Sequence, residues 1–225
     1  SSELFSGNSA GDLRFRLVDS TDRINFIHGK RGSNNVYSYI NKFGFKVPNV
    51  YILDGVHPLF IVERYDRRLV GKVMNRVHQQ DFCQAFGILS SEKYESDGGP
   101  SFDTDFKLML DNISAKKRVE STFRLIDWLC FNLLIGNNDS HSKNISFLMF
   151  DGKYELSPFY DLISTAIYPT LDAKFSFKIG DVSTFTSIGA KALTKEEKKL
   201  GIKEGTLIER MNQVYQGIVK HQDEI

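Results

Sequence analysis

The sequence predicts an α+β fold in two parts, a small β-rich lobe over residues 1–65 and a larger, mainly α-helical lobe over residues 66–225. Two observations carry this. Short apolar runs with a period of two crowd the first 65 residues. Longer runs with apolar residues three and four apart fill most of the remainder, broken by one strand-like pair that follows a polar loop.

In the small lobe, Leu13-Arg14-Phe15-Arg16-Leu17-Val18 and Ile24-Asn25-Phe26-Ile27 alternate as strands, joined by the turn formers Asp19-Ser20-Thr21-Asp22. Residues 33–43 read as a helix, with Val36, Tyr39, Ile40 and Phe43 on one face. Ser33 or Asn34 caps its start and Gly44 suits its end. Tyr51-Ile52-Leu53 and the run from Leu59 to Tyr65 form a hairpin around Asp54-Gly55.

In the large lobe, residues 79–88 read as a short helix and 90–100 as a loop, since Asp97-Gly98-Gly99-Pro100 breaks any regular element. Residues 101–113 and 117–135 are two further helices. Trp128 lies at helical spacing with Phe131 and Ile135, a core stripe. Residues 145–150 and 153–156 pair as strands, and 194–221 close the chain as helical segments with a charged, solvated face. Arg64, Arg67 and Arg68 could contact phosphate or a partner, but solvated charge is the default reading.

Composition narrows the function classes. The 225 residues hold 29 basic and 28 acidic side chains, a net charge of +1, which argues against a strongly basic nucleic-acid-binding domain. No run is long and apolar enough for a transmembrane helix, and Ser1-Ser2-Glu3-Leu4 has no signal-peptide character. Cys83 and Cys130 sit in apolar contexts without a CxxC neighbour, which reads as buried free thiols and a cytoplasmic location. The five His residues are scattered, so no structural zinc site is expected.

The chemistry concentrates in Gly136-Asn137-Asn138-Asp139-Ser140-His141-Ser142-Lys143-Asn144 and in Tyr160-Asp161 beyond the strand pair. Phosphoryl transfer asks for an Asp to take the acceptor's hydroxyl proton, an Asn five positions later on a divalent cation, and a separate metal-binding Asp. Asp139, Asn144 and Asp161 stand in that order, with 144 − 139 = 5. Lys143 lies beside Asn144, where its charge can offset that of the transferred group. Polar residues of these types also form plain turns. This loop, however, is pinned between an apolar helical run and a strand, a place where sites are commonly built. The plan is that of a kinase-like two-lobe fold.

Five collinear strings carry a resemblance across residues 34–220. They are Val62-Glu63-Arg64-Tyr65-Asp66-Arg67-Arg68, Gln79-Gln80-Asp81-Phe82-Cys83-Gln84-Ala85-Phe86-Gly87, Lys93-Tyr94-Glu95-Ser96-Asp97-Gly98-Gly99-Pro100, the 136–144 loop, and Pro158-Phe159-Tyr160-Asp161. Together they resemble the HipA-like serine/threonine kinase toxins of bacterial toxin–antitoxin pairs. The resemblance implies Asp139 as catalytic base, with Lys143 and His141 in the same catalytic loop, and Asn144 and Asp161 as magnesium ligands. It implies Glu63 and Tyr65 as the hinge that holds the adenine of ATP, and Gln79 as a further nucleotide-pocket residue. It implies a protein substrate, an aminoacyl-tRNA synthetase such as glutamyl-tRNA synthetase, whose phosphorylation halts translation. It also implies a helix-turn-helix antitoxin partner, with DNA reached only through that antitoxin.

The chain departs from the family at its front. Ser6-Gly7-Asn8-Ser9-Ala10-Gly11 is rich in Gly and Ser but lacks the Gln and Lys of the family's phosphate-binding loop. Lys30, after the strand-like run that ends near His28, is the best candidate for the nucleotide-binding Lys, and an exposed turn Lys is the competing reading. The front is either shortened or degenerate, or segments are absent from it. Two other functions therefore stand beside an active kinase. One is a catalytically impaired kinase-like module that binds an antitoxin-like partner, and the other is a metal-dependent phosphoesterase using Asp139, His141 and Asp161.

Overall fold

The computed structural model describes residues 14–17, 45–53, 59–166, 168, 170–171 and 174–221. The expected strand at 24–27, the helix at 33–43, the Gly/Ser-rich stretch and Lys30 lie outside the described residues. Strands β1 (Arg14–Leu17), β2 (Val50–Leu53) and β3 (Leu59–Val62) form an antiparallel sheet in the order β1-β3-β2. The two strands expected to flank Asp54-Gly55 thus pair, with Val50 opposite Val62 and Leu53 opposite Leu59, while residues 54–58 lie outside the described residues.

The next stretch departs from the expectation of mostly helix. Strands β4 (Arg67–Val70) and β5 (Val73–Arg76) make a hairpin turned at Gly71, whose φ of 62° favours glycine. Leu69, Val70 and Val73 are exposed on it. Arg64 and Arg67 are not solvated charges: both donate to the buried Asp66 carboxylate, at 2.5–2.8 Å. Arg68 stays exposed, as expected.

The expected helix at 79–88 divides in two. β6 (His78–Asp81) pairs antiparallel with β7 (Ser146–Phe150), which puts Gln79 opposite Leu148. Only α1 (Phe82–Phe86) is helical. Asp81 ends the strand and starts the helix through a capping box: its side chain accepts from the Gln84 N–H, and the Gln84 side chain accepts from the Asp81 N–H. Tertiary pairing overrides the local helical pattern before this cap.

Helices α2 (Phe102–Asn112) and α3 (Ala115–Ile135) match the two expected helices within a few residues. α3 spans about 30 Å at the usual rise per residue, and its 125–133 stretch is largely buried. β7 continues into β8 (Lys153–Leu156), which completes the sheet β6-β7-β8. β9 (Lys174–Ile179) and β10 (Val182–Thr184) form a hairpin that the sequence reading did not assign. Its signal is the alternation of buried Phe175, Phe177 and Ile179 ahead of Gly180-Asp181. α4 (Ala190–Leu200) and α5 (Thr206–His221) end the fold. Glu197 on α4 accepts from the Gly205 and Leu207 N–H groups and so caps the start of α5. Arg210 on α5 grips Asp127 on α3 with two hydrogen bonds.

The core gathers at Trp128, which is fully buried. Its ring lies 6.3–6.5 Å from those of Phe102, Phe177 and Phe159. Phe159 stands two residues before Asp161, and Phe177 one residue after Ser176, whose hydroxyl donates to the Asn138 carbonyl. The same aromatic cluster therefore places both halves of the polar site. Phe45 and Val47 join this core, with the Phe45 ring 5.4 Å from that of Phe131. Cys83 and Cys130 are buried free thiols, as expected. Among the described residues, no helix is long and apolar enough to cross a membrane.

Candidate active site

Gly136 ends α3 in the left-handed conformation, at φ 67°, and its N–H closes on the Asn132 and Leu133 carbonyls. A Cβ here would lie 2.5 Å from the Ala166 Cβ, so only glycine lets the loop turn this tightly. The Ala166 and Thr165 N–H groups return to the Gly136 carbonyl at 2.9 and 3.1 Å. The Thr165 hydroxyl oxygen accepts from the Asn138 N–H at 2.7 Å.

Asn137 is the junction of the site. Its buried amide donates to Asn132 Oδ1 at 2.7 Å and to the Asp161 carbonyl at 3.2 Å. Its Oδ1 accepts from the Asp139 N–H at 3.2 Å. One side chain thus ties the Asp139 loop to Asp161 across 24 residues of sequence. Asn144 Nδ2 donates to the Asp139 carbonyl at 2.8 Å, so the five-residue spacing closes as a ring, and among the described residues no hydrogen bond reaches the Asn144 Oδ1. Asp161 has φ 57°, a left-handed conformation that Asp tolerates better than most residues.

The Asp139 side chain is partly exposed, and its Oδ1 is crowded with donors. The Tyr94 hydroxyl donates at 2.5 Å and Lys93 Nζ at 3.4 Å. The buried His141 Nε2 lies 3.4 Å away, long for a hydrogen bond. Burial opposes ionisation of Asp139, but His141, Tyr94 and Lys93 outweigh it and hold the carboxyl well below the usual range. Behind the loop, Ser142 Oγ donates at 2.7 Å to Oδ2 of Asp105, which is wholly buried. Burial pushes the Asp105 carboxyl well above the carboxylate range.

A second network reaches Lys143 from the side expected to hold nucleotide. Gln79 Nε2 donates to Ser146 Oγ at 3.1 Å, and Ser146 Oγ lies 2.6 Å from the Tyr160 hydroxyl. Tyr160 in turn donates to the Lys143 carbonyl at 2.7 Å. The rings of Tyr65 and Tyr160 stack at 6.1 Å. Burial raises the pKa of both phenols, so they remain protonated donors.

The structure thus gathers Asp139, His141, Lys143, Asn144 and Asp161 around one loop and links Tyr65 and Gln79 to it. Glu63 stands apart from these networks: its Oε2 accepts from the Asn49 amide at 2.7 Å, and its N–H donates to the Asn49 carbonyl at 2.9 Å. Sequence reasoning missed Asn137 as the junction, Asp105 as the buried anchor, and Lys93 and Tyr94 as partners of Asp139. Only the last two had a visible signal, the Lys93–Pro100 string itself.

Comparison with known proteins agrees with this architecture. A family model for the HipA-like C-terminal domain matches residues 35–222. The serine/threonine-protein kinase toxin HipA of Shewanella oneidensis is 34% identical over 183 residues, which cover 76% of this chain and 42% of that protein. Y4mE of Sinorhizobium fredii is 41% identical over 146 residues, covering 64% of this chain and 34% of that protein. The chain therefore spans less than half the length of these two relatives. The structure of Shewanella oneidensis HipA, solved with HipB and its operator DNA, superposes with a TM-score of 0.81 at 28% identity, over 95% of this chain and 52% of that one. The Helicobacter pylori proinflammatory kinase CtkA shares the fold alone, with a TM-score of 0.53 at 14% identity over 94% of this chain and 88% of that one. The α+β, kinase-like architecture and the matched family model together show that the chain belongs to the HipA-like C-terminal domain family.

Proposed function

We propose that this chain carries the catalytic machinery of an ATP- and magnesium-dependent serine/threonine protein kinase of the HipA toxin type. The observation that supports this best is the Asn137 junction, which binds Asp161 to the loop bearing Asp139 and Asn144. In this reading, Asp139 orients the acceptor hydroxyl and takes its proton, while Lys143 offsets charge on the transferred phosphoryl group. His141 packs beneath Asp139 as part of the same loop. Asn144 and Asp161 offer one neutral and one charged oxygen. That donor set suits Mg²⁺, which keeps several waters and takes its other ligands from nucleotide phosphates. When bound, the cation neutralises charge on those phosphates.

Tyr65, Gln79 and Glu63 line the nucleotide side, with Lys30 the candidate phosphate-contacting residue, and the small lobe of residues 1–65 covers the ATP against residues 66–225. The protein substrate is an aminoacyl-tRNA synthetase such as glutamyl-tRNA synthetase, and the setting is cytoplasmic. A helix-turn-helix antitoxin is the regulatory partner. The joint structure of the Shewanella HipA with HipB and operator DNA supports that partner class. A second reading, a kinase-like binding module without turnover, is favoured by one feature: residues 6–11 lack the Gln and Lys of the family's phosphate loop.

Incubation with Mg²⁺ and γ-labelled ATP separates the readings. An active kinase labels itself or a purified glutamyl-tRNA synthetase, and Asp139→Asn removes the label. Labelling by Asp139→Asn at the native rate would exclude Asp139 as the base. Absence of Mg²⁺-dependent ATP binding by the native chain would favour the binding module. Release of phosphate from simple esters without ATP would favour a phosphoesterase.

A further inference from the structure

The 89–99 loop has no role in the mechanism above, yet it delivers two donors to the one atom of Asp139 that is already crowded. Tyr94 OH lies 2.5 Å and Lys93 Nζ 3.4 Å from Oδ1, while among the described residues no hydrogen bond reaches Oδ2. We propose that Lys93 and Tyr94 are positioning residues: they pin Oδ1 of Asp139 so that Oδ2 alone is presented to the acceptor hydroxyl. The inference rests on the kinase reading and deepens it.

The construction of the loop supports this. Two 3-10 turns, Ser90–Glu92 and Glu95–Asp97, bracket the pair. The Gly99 N–H returns to the Tyr94 carbonyl at 2.9 Å. A Cβ on Gly99 would lie 2.3 Å from the Glu92 carbonyl oxygen and 2.8 Å from that of Tyr94, so the glycine lets the loop fold tightly onto the backbone that bears Tyr94. Glu95 Oε2 accepts from the Lys178 N–H at 2.7 Å, which fastens the loop to β9. The Tyr94 ring meets His141 edge-on at 5.3 Å, and the Lys93 ammonium lies 4.6 Å from the centre of the Tyr94 ring. Lys93, Tyr94, Glu95 and Gly99 of the string Lys93-Tyr94-Glu95-Ser96-Asp97-Gly98-Gly99 thus serve one geometry. A carboxylate free to rotate about its last bond would offer either oxygen in many directions. One held through Oδ1 has a single presentation, and misplacement of a catalytic group by even an ångström is costly to rate.

The test uses the full chain, γ-labelled ATP with Mg²⁺, and the chain itself or purified glutamyl-tRNA synthetase as acceptor. Tyr94→Phe removes the hydroxyl and keeps the ring. It should lower kcat about tenfold to a hundredfold, with nucleotide Kd unchanged within about twofold and the melting midpoint unmoved. Lys93→Met should lower kcat less, and Lys93→Arg should restore it. Tyr94→Phe combined with Asp139→Asn should be no slower than Asp139→Asn alone, since the hydroxyl acts only through that carboxylate. A native or raised kcat in Tyr94→Phe overturns the proposal, the raised value showing that Tyr94 instead competes with the acceptor for Asp139. A loss of kcat that Lys93→Arg fails to restore, together with a further loss in the double variant, overturns it as well. Full transfer by Asp139→Asn, or none by the native chain, breaks the kinase reading itself, and the positioning proposal falls with it.

Discussion

Two carboxylates at the 136–144 loop differ in their surroundings, Asp139 partly exposed and Asp105 wholly buried. Asp139 accepts from Tyr94 and Lys93, with His141 Nε2 3.4 Å away, and is kept charged. Asp105 has a hydrogen bond from Ser142 and, among the described residues, no partner for its Oδ1. Burial alone dominates there, and the group is pushed toward its neutral form. The same residue type thus does two jobs. Where charge is wanted, the chain supplies donors; where an anchor is wanted, it supplies burial and lets the acid keep its proton.

Four changes test that contrast. The largest effect is on activity. Asp139→Asn should cut phosphoryl transfer by about a thousandfold, within the usual range for a lost proton acceptor, whereas Asp105→Asn should leave it within a few-fold. Equal losses from both, measured with labelled ATP, would abolish the distinction. The next effect is on stability. Ser142→Ala strips the buried Asp105 carboxyl of its one donor and should cost about 1–3 kcal/mol in denaturant unfolding. No change would mean that water already serves Asp105.

The third effect is pH-dependent. Asp105 has a folded-state pKa above its unfolded value, so the native state holds a proton that the unfolded chain releases. Its contribution is therefore most favourable below about pH 4 and is lost as pH rises through the raised folded value. Asp105→Asn cannot ionise and removes this dependence. Its melting midpoint should gain on that of the native chain as pH rises above about 4, until the folded-state value of Asp105 is passed. A constant gap would show that Asp105 does not titrate across this range. The smallest effect belongs to a third carboxylate. Asp181 is fully exposed and is held down to about 2 by Lys195 and Lys199. Any stability it adds is present above about pH 4 and fades as pH falls through its folded value, and solvent screens it throughout. Asp181→Asn should move the melting midpoint by about a degree or less in 0.15 M salt. A larger shift would mean that the α4 surface is more tightly coupled to the β9–β10 turn than its exposure suggests.

The sequence displayed the long helices well, because α3 repeats its apolar residues at helical spacing over five turns or so and ends on Gly136. The β6–α1 junction was hidden, because Gln79 is strand only through its pairing with a residue 69 positions away, a contact that no local pattern encodes. The β9–β10 hairpin carries a local alternation, Phe175, Phe177 and Ile179 ahead of Gly180-Asp181, of the kind that marks a strand. In the site, the spacing of Asp139 and Asn144 was legible because it closes locally, through one hydrogen bond. Asn137 and Asp105 were not, because each acts through a partner remote in sequence, Asp161 and Ser142 respectively.

The two cysteines give the molecule an internal clock. Cys130 is sealed in α3, its Sγ near the Leu207 carbonyl, and Cys83 is sealed in α1, which follows directly on the strand that bears Gln79. Burial pushes the Cys130 thiol up to about 12 and that of Cys83 to about 11, so neither offers appreciable thiolate to a reagent while closed. Alkylation must wait for opening. Its rate at Cys130 then reports how often the whole core comes apart, and its rate at Cys83 how often the short helix beside the site lifts away. Label counted at each thiol against time converts one reagent into two separate opening free energies, with no engineered probe required.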